Sequence, residues 1–567
     1  MSVIRKLATI QPALVLVALV LVAPRARAEE KPGTLPSYLS NASAVFSVPA
    51  EPKPLYLVPW VDPTFSSTLQ RITPDPGTST APVSGTWGSD TRHVYSKQQP
   101  WSSDASLYIL ENRSGGSPTP LVLDGKTYAP RYSMSSSAGL YDYRWLPSTA
   151  HPHELVNVNS SGTELSWVDV TTSTKTRTWT LPITADYGIG SGEGNPSRDG
   201  RFVCVGNASS MVVVDMDPQP PYAPYPNRRI GPVYTFAACS LLVSSPTSCA
   251  IGNLSVSASG KYVDVKYQGT TGDTYDAHRI FEVDPATLAL KPHAMAQGSL
   301  RCDSFTGRAN GWIFALKHAD MTLDPFDGNE DVIVGGRACP GSTLGHVVKV
   351  RLRDGATTGL TDPSNEASVY HVSTRSYNRL GWAYVSFYKV AGTRFSDEII
   401  AVKLDGSRTV ERYAHIHSAA SGCYRCEAHP SPSPDGSRIA FASNWAQDCG
   451  SNCGSSSVIK DYVIAGPLPS AGVPGRPAGD GLALSSIWPN PGRSPMRVSY
   501  VLPGSMPARF ELVDVAGRIV LAQEIDAPSR GAREATVAFD PRVHPGTYWL
   551  RLAQSGQQAV SRVVLLR

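Results

Sequence analysis

Residues 429–445 read HPSPSPDGSRIAFASNW, and the fold is read from this stretch. At its centre, Ser433-Pro434-Asp435-Gly436 is a tight-turn signal, because Gly reaches positive φ without a Cβ penalty. After the turn, Arg438, Ala440 and Ala442 alternate with Ile439, Phe441 and Ser443, which is the period of a strand. The prolines before the turn exclude a helix and suit only a short edge-like strand. The unit is therefore a hairpin: a short strand, a Ser-Pro-Asp-Gly turn and a stronger strand.

The same unit recurs along the chain. His93 to Trp101 with Leu107 to Glu111 forms a first hairpin, and Tyr141 to Pro147 with Glu154 to Asn159 a second. Asn195 to Ser197 and Arg201 to Asn207 flank Arg198-Asp199-Gly200. Asn253 to Ser257 and Lys261 to Gln268 flank Ala258-Ser259-Gly260. Asp303 to Thr306 with Trp312 to His318 is expected as the fifth, and His371 to Thr374 with Gly381 to Tyr388 as the sixth. The opening stretch is the seventh. Further strand pairs follow most hairpins, such as Leu165 to Val170 with Thr176 to Leu181. Four strands per unit at irregular spacing indicate an all-β, seven-bladed β-propeller, with six or eight blades as alternatives. A two-sheet sandwich array explains the repeated turns less well. The seventh unit has its third strand at Val458 to Ile464 and then runs into Pro and Gly. Its missing fourth strand is expected from an N-terminal run, closing the ring with both ends of the propeller in one blade.

Residues 1–28 have the pattern of a secretory signal peptide: Arg5 and Lys6, an apolar run from Ala13 to Ala23, and Ala26-Arg27-Ala28 before Glu29. The apolar run is short for a membrane span, and no other stretch approaches one. The leader holds four basic and no acidic residues, so its removal leaves 47 of each sign. That balance gives no reason to expect nucleic acid or anionic lipid as a partner. Residues 29–53 are Pro- and Ser-rich and are expected to be a tether, 54–465 the propeller, and 466–481 a Pro/Gly-rich linker. From Leu482 to Arg567 short strand-like runs indicate a small Ig-like β-sandwich. Nine cysteines in an exported chain point to disulfides. Cys239 with Cys249 and Cys302 with Cys339 are candidate pairs, and Cys204, inside an apolar strand, is the odd buried thiol. Cys423, Cys426, Cys449 and Cys453 form a C-x2-C and a C-x3-C, either two disulfides or a structural zinc site, with export favouring disulfides.

The C-terminal module carries Pro489-Asn490-Pro491, Tyr500-Val501-Leu502-Pro503, Asp514-Val515-Ala516-Gly517-Arg518, Pro545-Gly546-Thr547-Tyr548-Trp549 and a closing Val563-Val564-Leu565-Leu566-Arg567. In this it resembles the type IX secretion sorting domains of exported bacterial proteins and the related FlgD-like Ig fold. The resemblance implies export, secretion machinery as a partner, and a secreted or cell-surface location. Through its Ser-Pro-Asp-Gly turns the propeller resembles WD-type and Tol-system propellers. It also resembles, distantly, the oligogalacturonate lyase propellers. Those carry a His-Pro-x-Phe-x-Pro-Asp-like run in a late blade, with one His as a metal ligand, and residues 429–435 match that run. That family has a second His and a Gln just upstream, where this chain has Glu427 and Tyr424 or a neighbour.

Hairpin geometry narrows the search for chemistry. The start of each first strand and the end of each second strand lie at one blade edge, and these edges ring one mouth of the central channel. The rule gathers Glu193, Asn195 and Asn253 from blades three and four. It gathers Asp303, His318 and Asp320 from blade five, and Tyr370, His371 and Tyr388 from blade six. Blade seven supplies Arg425, Glu427, His429, Asn444 and Trp445. His151 and His153 fall at the opposite mouth. His318, Asp320, His371, Glu427 and His429 are the candidate acid–base residues, with the three histidines as possible ligands of a divalent metal. Glu193, Asp303, Tyr388, Arg425 and Trp445 are candidate binding residues, Arg425 for an anion and the aromatic rings for sugars. Asp324 to Asp331 has calcium-like oxygen ligands but lacks the full loop spacing, and reads better as an ordinary hairpin turn. The first functional expectation is ligand recognition at the mouth, of a carbohydrate or envelope component. The second is a polysaccharide-lyase-like enzyme with a His-based site, and the third a non-catalytic surface scaffold.

Overall fold

The computed structural model describes residues 35–216, 229–236, 250–268, 277–295, 311–314, 316–337, 344–450, 452–465, 482–488, 492–514, 517–525, 531–539, 543–555 and 557–566. The signal peptide, the linker, Asp303, and Cys239, Cys249, Cys302 and Cys339 lie outside the described residues, as does the Asp303 to Thr306 half of the expected fifth hairpin. Among the described residues the regular structure is strands and short 3-10 turns.

Seven blades make a β-propeller, with blades seven and one joined in a single nine-stranded sheet. Blade two runs Asp142–Trp145, Glu154–Val158, Glu164–Asp169 and Thr174–Thr180, paired in chain order. Blade six repeats this with Val369–Ser373, Trp382–Phe387, Glu398–Lys403 and Val410–His415. Blade seven consists of Ser431–Pro432, Arg438–Ser443 and Ile459–Ala465, and its fourth strand is Thr68–Arg71. Thr68 stands opposite Ala465 and Arg71 opposite Tyr462, so the ring closes through an N-terminal strand as expected. Ile459 and Lys460 also pair in parallel with Asp90 and Thr91, which ties blade seven to blade one.

The repeated turn has a side-chain cause. Ser433 Oγ donates to Asp435 Oδ1 at 2.6 Å and accepts the Arg438 N–H at 3.0 Å, while Gly436 takes φ 71°. Ser197 and Asp199 repeat these bonds, with Gly200 at φ 73°. In blade one Ser102 and Asp104 do the same, with Ala105 in the glycine position. Each turn thus satisfies much of its own backbone, and neighbouring blades add to it: the Arg198 N–H donates to the carbonyl of Ala258, and the Asn378 N–H to that of Pro434. Between blades the strands bury β-branched and aromatic side chains: Val332, Val334 and Val347 of blade five pack with Val372, Val385, Ile400 and Val402 of blade six.

Three expectations are corrected. Trp312–Phe314 does not belong to blade five; it adds to blade four beside Ala277–Arg279. The blade-five hairpin is Leu316–Asp324 with Glu330–Arg337, and the acidic stretch from Asp324 is its turn. Residues 35–53 are not a free tether. Leu39 bridges to Arg412, the buried Arg412 guanidinium donates to the carbonyls of Asn41 and Ala44, and Trp445 Nε1 donates to the carbonyl of Glu51. This segment is a strap over blades six and seven. Finally, the first strand of blade one is interrupted. Asp90–Arg92 pair with Glu111–Arg113, and pairing resumes only at Trp101 with Tyr108, so His93 to Gln99 leave the ladder.

The C-terminal module is a two-sheet β-sandwich. Ala483–Trp488, Met496–Leu502 and Gly531–Val537 form one sheet, and Ile519–Glu524, Ala508–Val513, Gly546–Gln554 and Gln557–Leu565 the other. Met496, Val498 and Leu502 of the first pack against Phe510, Leu512, Leu550 and Leu552 of the second.

Candidate functional site

Three imidazoles from blades five, six and seven meet at one mouth. His318 opens the first strand of blade five, His371 lies in that of blade six, and His429 precedes that of blade seven. The ring centroids of His371 and His429 are 3.9 Å apart, and those of His318 and His371 4.4 Å. Glu427 Oε2 is 2.5 Å from His371 Nε2 and 3.6 Å from His429 Nε2. His318 and His429 have φ of 50° and 46°, a left-handed conformation costing a non-Gly residue about 1–3 kcal/mol. Such strain persists only where the surroundings impose it.

Burial sets the electrostatics. It pushes the His371 imidazole well below its ordinary range, with Arg92 acting in the same direction. Burial and the neighbouring His371 do the same to His318 and His429. All three are neutral at physiological pH. Burial raises the Glu427 carboxyl to about 7, against the hydrogen bond from Tyr370 and the charge of Arg92. Nδ1 of His371 and both ring nitrogens of His429 are buried without a hydrogen-bond partner. Orphaned polar atoms of this kind are rare in folded proteins and cost about 1–3 kcal/mol each.

The opposite wall is charged. Glu193 Oε2 accepts from Lys97 Nζ at 2.5 Å and from Asn253 Nδ2 at 2.7 Å, and Lys266 Nζ lies 4.0 Å away. Burial works against the Glu193 charge, but Lys97 and Lys266 outweigh it and hold the carboxyl below its usual range. Tyr95 links the two walls. Its ring stands edge-on to His429 at 4.8 Å and its hydroxyl is 3.3 Å from His318 Nδ1. At the rim, Tyr370 stacks on Tyr388 at 3.6 Å, and the exposed Tyr424 sits 4.9 Å from His429.

Other candidates fall elsewhere. Asp320 is buried in a two-pronged ion pair with Arg375, and its Oδ2 also accepts from Thr374. It is therefore occupied away from the imidazoles. Trp445 is fully buried, stacked on His417 and edge-on to Trp60, so it offers no face to a ligand. Arg425 is paired with Asp90 and Glu111, which matches its charge internally. Asn195 is buried, its N–H donated to Ser255. Cys423 is bonded to Cys426 and Cys449 to Cys453, so these four are disulfides rather than a zinc site. The first disulfide spans the 3-10 turn that delivers Tyr424 and Glu427. Cys204 is the buried free thiol expected.

Tyr95, Lys97 and Lys266 were not anticipated. Tyr95 and Lys97 lie at the start of a first strand, where the hairpin rule applies, but a continuous strand would have kept them in the ladder.

Comparison with known proteins adds the following. Residues 486–566 match the family of the secretion system C-terminal sorting domain, which indicates secretion or outer-surface delivery and engagement with that machinery. No curated protein matches the chain. Among solved structures, an oligogalacturonate lyase in complex with manganese is 14% identical, with a TM-score of 0.43 over 74% of this chain and 98% of that one. The hydrazine synthase of Kuenenia stuttgartiensis is 13% identical, with a TM-score of 0.37 over 67% of this chain and 97% of that one. TolB from Acinetobacter baumannii is 11% identical, with a TM-score of 0.26 over 56% and 61%.

Proposed function

We propose that this exported propeller holds a divalent cation on His371, Glu427 and His429 and there binds an anionic carbohydrate or envelope component. The observation that carries the reading is the buried imidazole pair around one carboxylate: His371 Nε2 is bonded to Glu427, and both ring nitrogens of His429, one of them 3.6 Å from that carboxylate, lack a hydrogen-bond partner. One ligand atom from each of the three residues lies within 4.8 Å of the others. Ligand atoms of a tetrahedral site stand about 3–4 Å apart, so a small adjustment gathers them. The set fits chemically as well: neutral imidazoles with one carboxylate suit a borderline cation such as Zn2+ or Mn2+. A bound cation would polarise an anionic oxygen of the ligand. Lys97 and Lys266 add positive charge on the facing wall, and the exposed rings of Tyr388 and Tyr424 offer sugar-stacking surface at the rim.

A second reading, an eliminase, is favoured by His318. It is the least buried of the three imidazoles, neutral, and beside the Tyr95 hydroxyl. It is thus placed to accept a proton from carbon next to a sugar carboxylate.

Metal analysis of the purified full chain, with binding to a panel of acidic polysaccharides, tests the proposal. Stoichiometric cation and glycan binding, both lost in His429→Ala, are expected. Wild-type protein that takes up no cation, or glycan binding indifferent to chelation, sinks it. Appearance of unsaturated sugar product, abolished in His318→Gln, distinguishes the eliminase from the binder.

A further inference from the structure

Two buried histidine–carboxylate dyads, neither at the mouth, grip the backbone that presents its strained histidines. His93 Nδ1 is 2.7 Å from Asp461 Oδ1, and its Nε2 is 2.6 Å from the backbone carbonyl of His429. His278 Nδ1 is 2.9 Å from Asp264 Oδ2, and its Nε2 is 2.9 Å from the backbone carbonyl of Leu316, two residues before His318. In each dyad one ring nitrogen meets a carboxylate and the other a backbone carbonyl, so both edges of the ring are held. His93 and His278 are fully buried, and Asp461 is further held by the Tyr108 hydroxyl and the His93 N–H.

The placement is selective. His318 and His429 are the two site histidines with positive φ, and these two have a dyad on their own or near backbone. His371, whose backbone is not left-handed, has a looser version: His346 Nδ1 bonds the carbonyl of Ala367 at 2.9 Å, with Glu366 only 4.0 Å from the ring. A fourth dyad of the same form, His293 with Glu282, grips the carbonyl of Arg353, which leads to no site residue.

We infer that His93 with Asp461 and His278 with Asp264 are positioning residues: they impose the left-handed backbone at which His429 and His318 turn their imidazoles toward His371. The inference rests on the mouth being a functional site. Its geometric content, that the dyads set the ring positions, can be read without any ligand. Groups that orient metal-binding side chains typically contribute roughly 10–100-fold to affinity.

The test uses the full chain labelled with 15N-histidine, its ring resonances assigned by single His→Gln changes, and Co2+ as the probe cation. In His93→Gln the His429 ring resonances are expected to move and Co2+ affinity to fall roughly 10–100-fold. In His278→Gln the His318 resonances move. His293→Gln, which removes the same dyad away from the mouth, leaves the site resonances and Co2+ affinity at wild-type values. Should His93→Gln fail to fold, Asp461→Asn decides the same point. Unmoved His429 resonances in these variants, or equal displacement in His293→Gln, overturn the inference. Wild-type protein that takes no Co2+ overturns the cation reading instead, and the resonances still decide the dyads.

Discussion

Glu427 concentrates the chemistry of the mouth because it is the one site residue whose charge is poised near neutrality. Burial raises its carboxyl to about 7, while the imidazoles beside it are pushed well below their ordinary range and stay neutral throughout the neutral region. A cation needs the carboxylate deprotonated. The carboxyl gains its proton as pH falls through about 7, so cation affinity is expected to weaken on acidification through that value and to level off above it. Calorimetric titration with Mn2+ between about pH 6 and pH 8 checks this. In Glu427→Gln the pH step vanishes and affinity is at least about tenfold lower at the high end. A step that survives in Glu427→Gln places the titrating group elsewhere. At this scale the sequence was partly legible. Strand starts placed His371, His429 and Glu427 at one mouth through hairpin topology, whereas His318, expected at the end of a second strand, lies near the start of the first strand of blade five. It misplaced Arg425 and Asp320 because each is neutralised by a carboxylate or guanidinium distant in sequence, and local alternation carries no trace of Asp90 or Arg375.

Among the elements, the Ser-x-Asp-Gly turn is the most portable device in the chain. Ser433 Oγ and Ser197 Oγ are both fully buried and each both donates and accepts within its own turn. Ser433→Ala and Ser197→Ala are each expected to cost about 1–3 kcal/mol, since a buried N–H loses its acceptor. They lie in blades seven and three, so in combination the losses add. Chemical denaturation checks both points; a neutral effect at either serine shows that the turn is held by backbone geometry alone. These turns were visible in the sequence because their bonds span two to five residues. The interrupted strand of blade one was not. His93 leaves the ladder to meet Asp461, 368 residues away, and no local pattern announces that contact. The shift of the fifth hairpin has a related cause: Trp312–Phe314 has strand character, but its partner is blade four.

For the whole molecule, closure is the property on which the mouth depends. Blades five, six and seven can bring His318, His371 and His429 together only if blade seven is a complete sheet. That sheet is completed by Thr68–Arg71 against Tyr462–Ala465. The strap formed by residues 35–53 adds to the closure, because Arg412, fully buried and paired with Glu398, spends its remaining donors on strap carbonyls. The two ends of the propeller therefore differ in what they can lose. A chain beginning after Thr73 lacks the fourth strand of blade seven and leaves an open edge of unpaired backbone, which is a template for aggregation. It is expected to give no cooperative unfolding transition and no cation binding. A chain ending at Ala465 loses only the sandwich, whose core from Ile487 to Leu565 shares no residue with the propeller cores. That shortened chain is expected to keep the wild-type propeller transition and Co2+ affinity while losing export, as read by cell fractionation. If removing the sandwich abolishes cation binding, or if removing residues up to 73 preserves it, the mouth is not a product of ring closure and the site must be sought within a single blade.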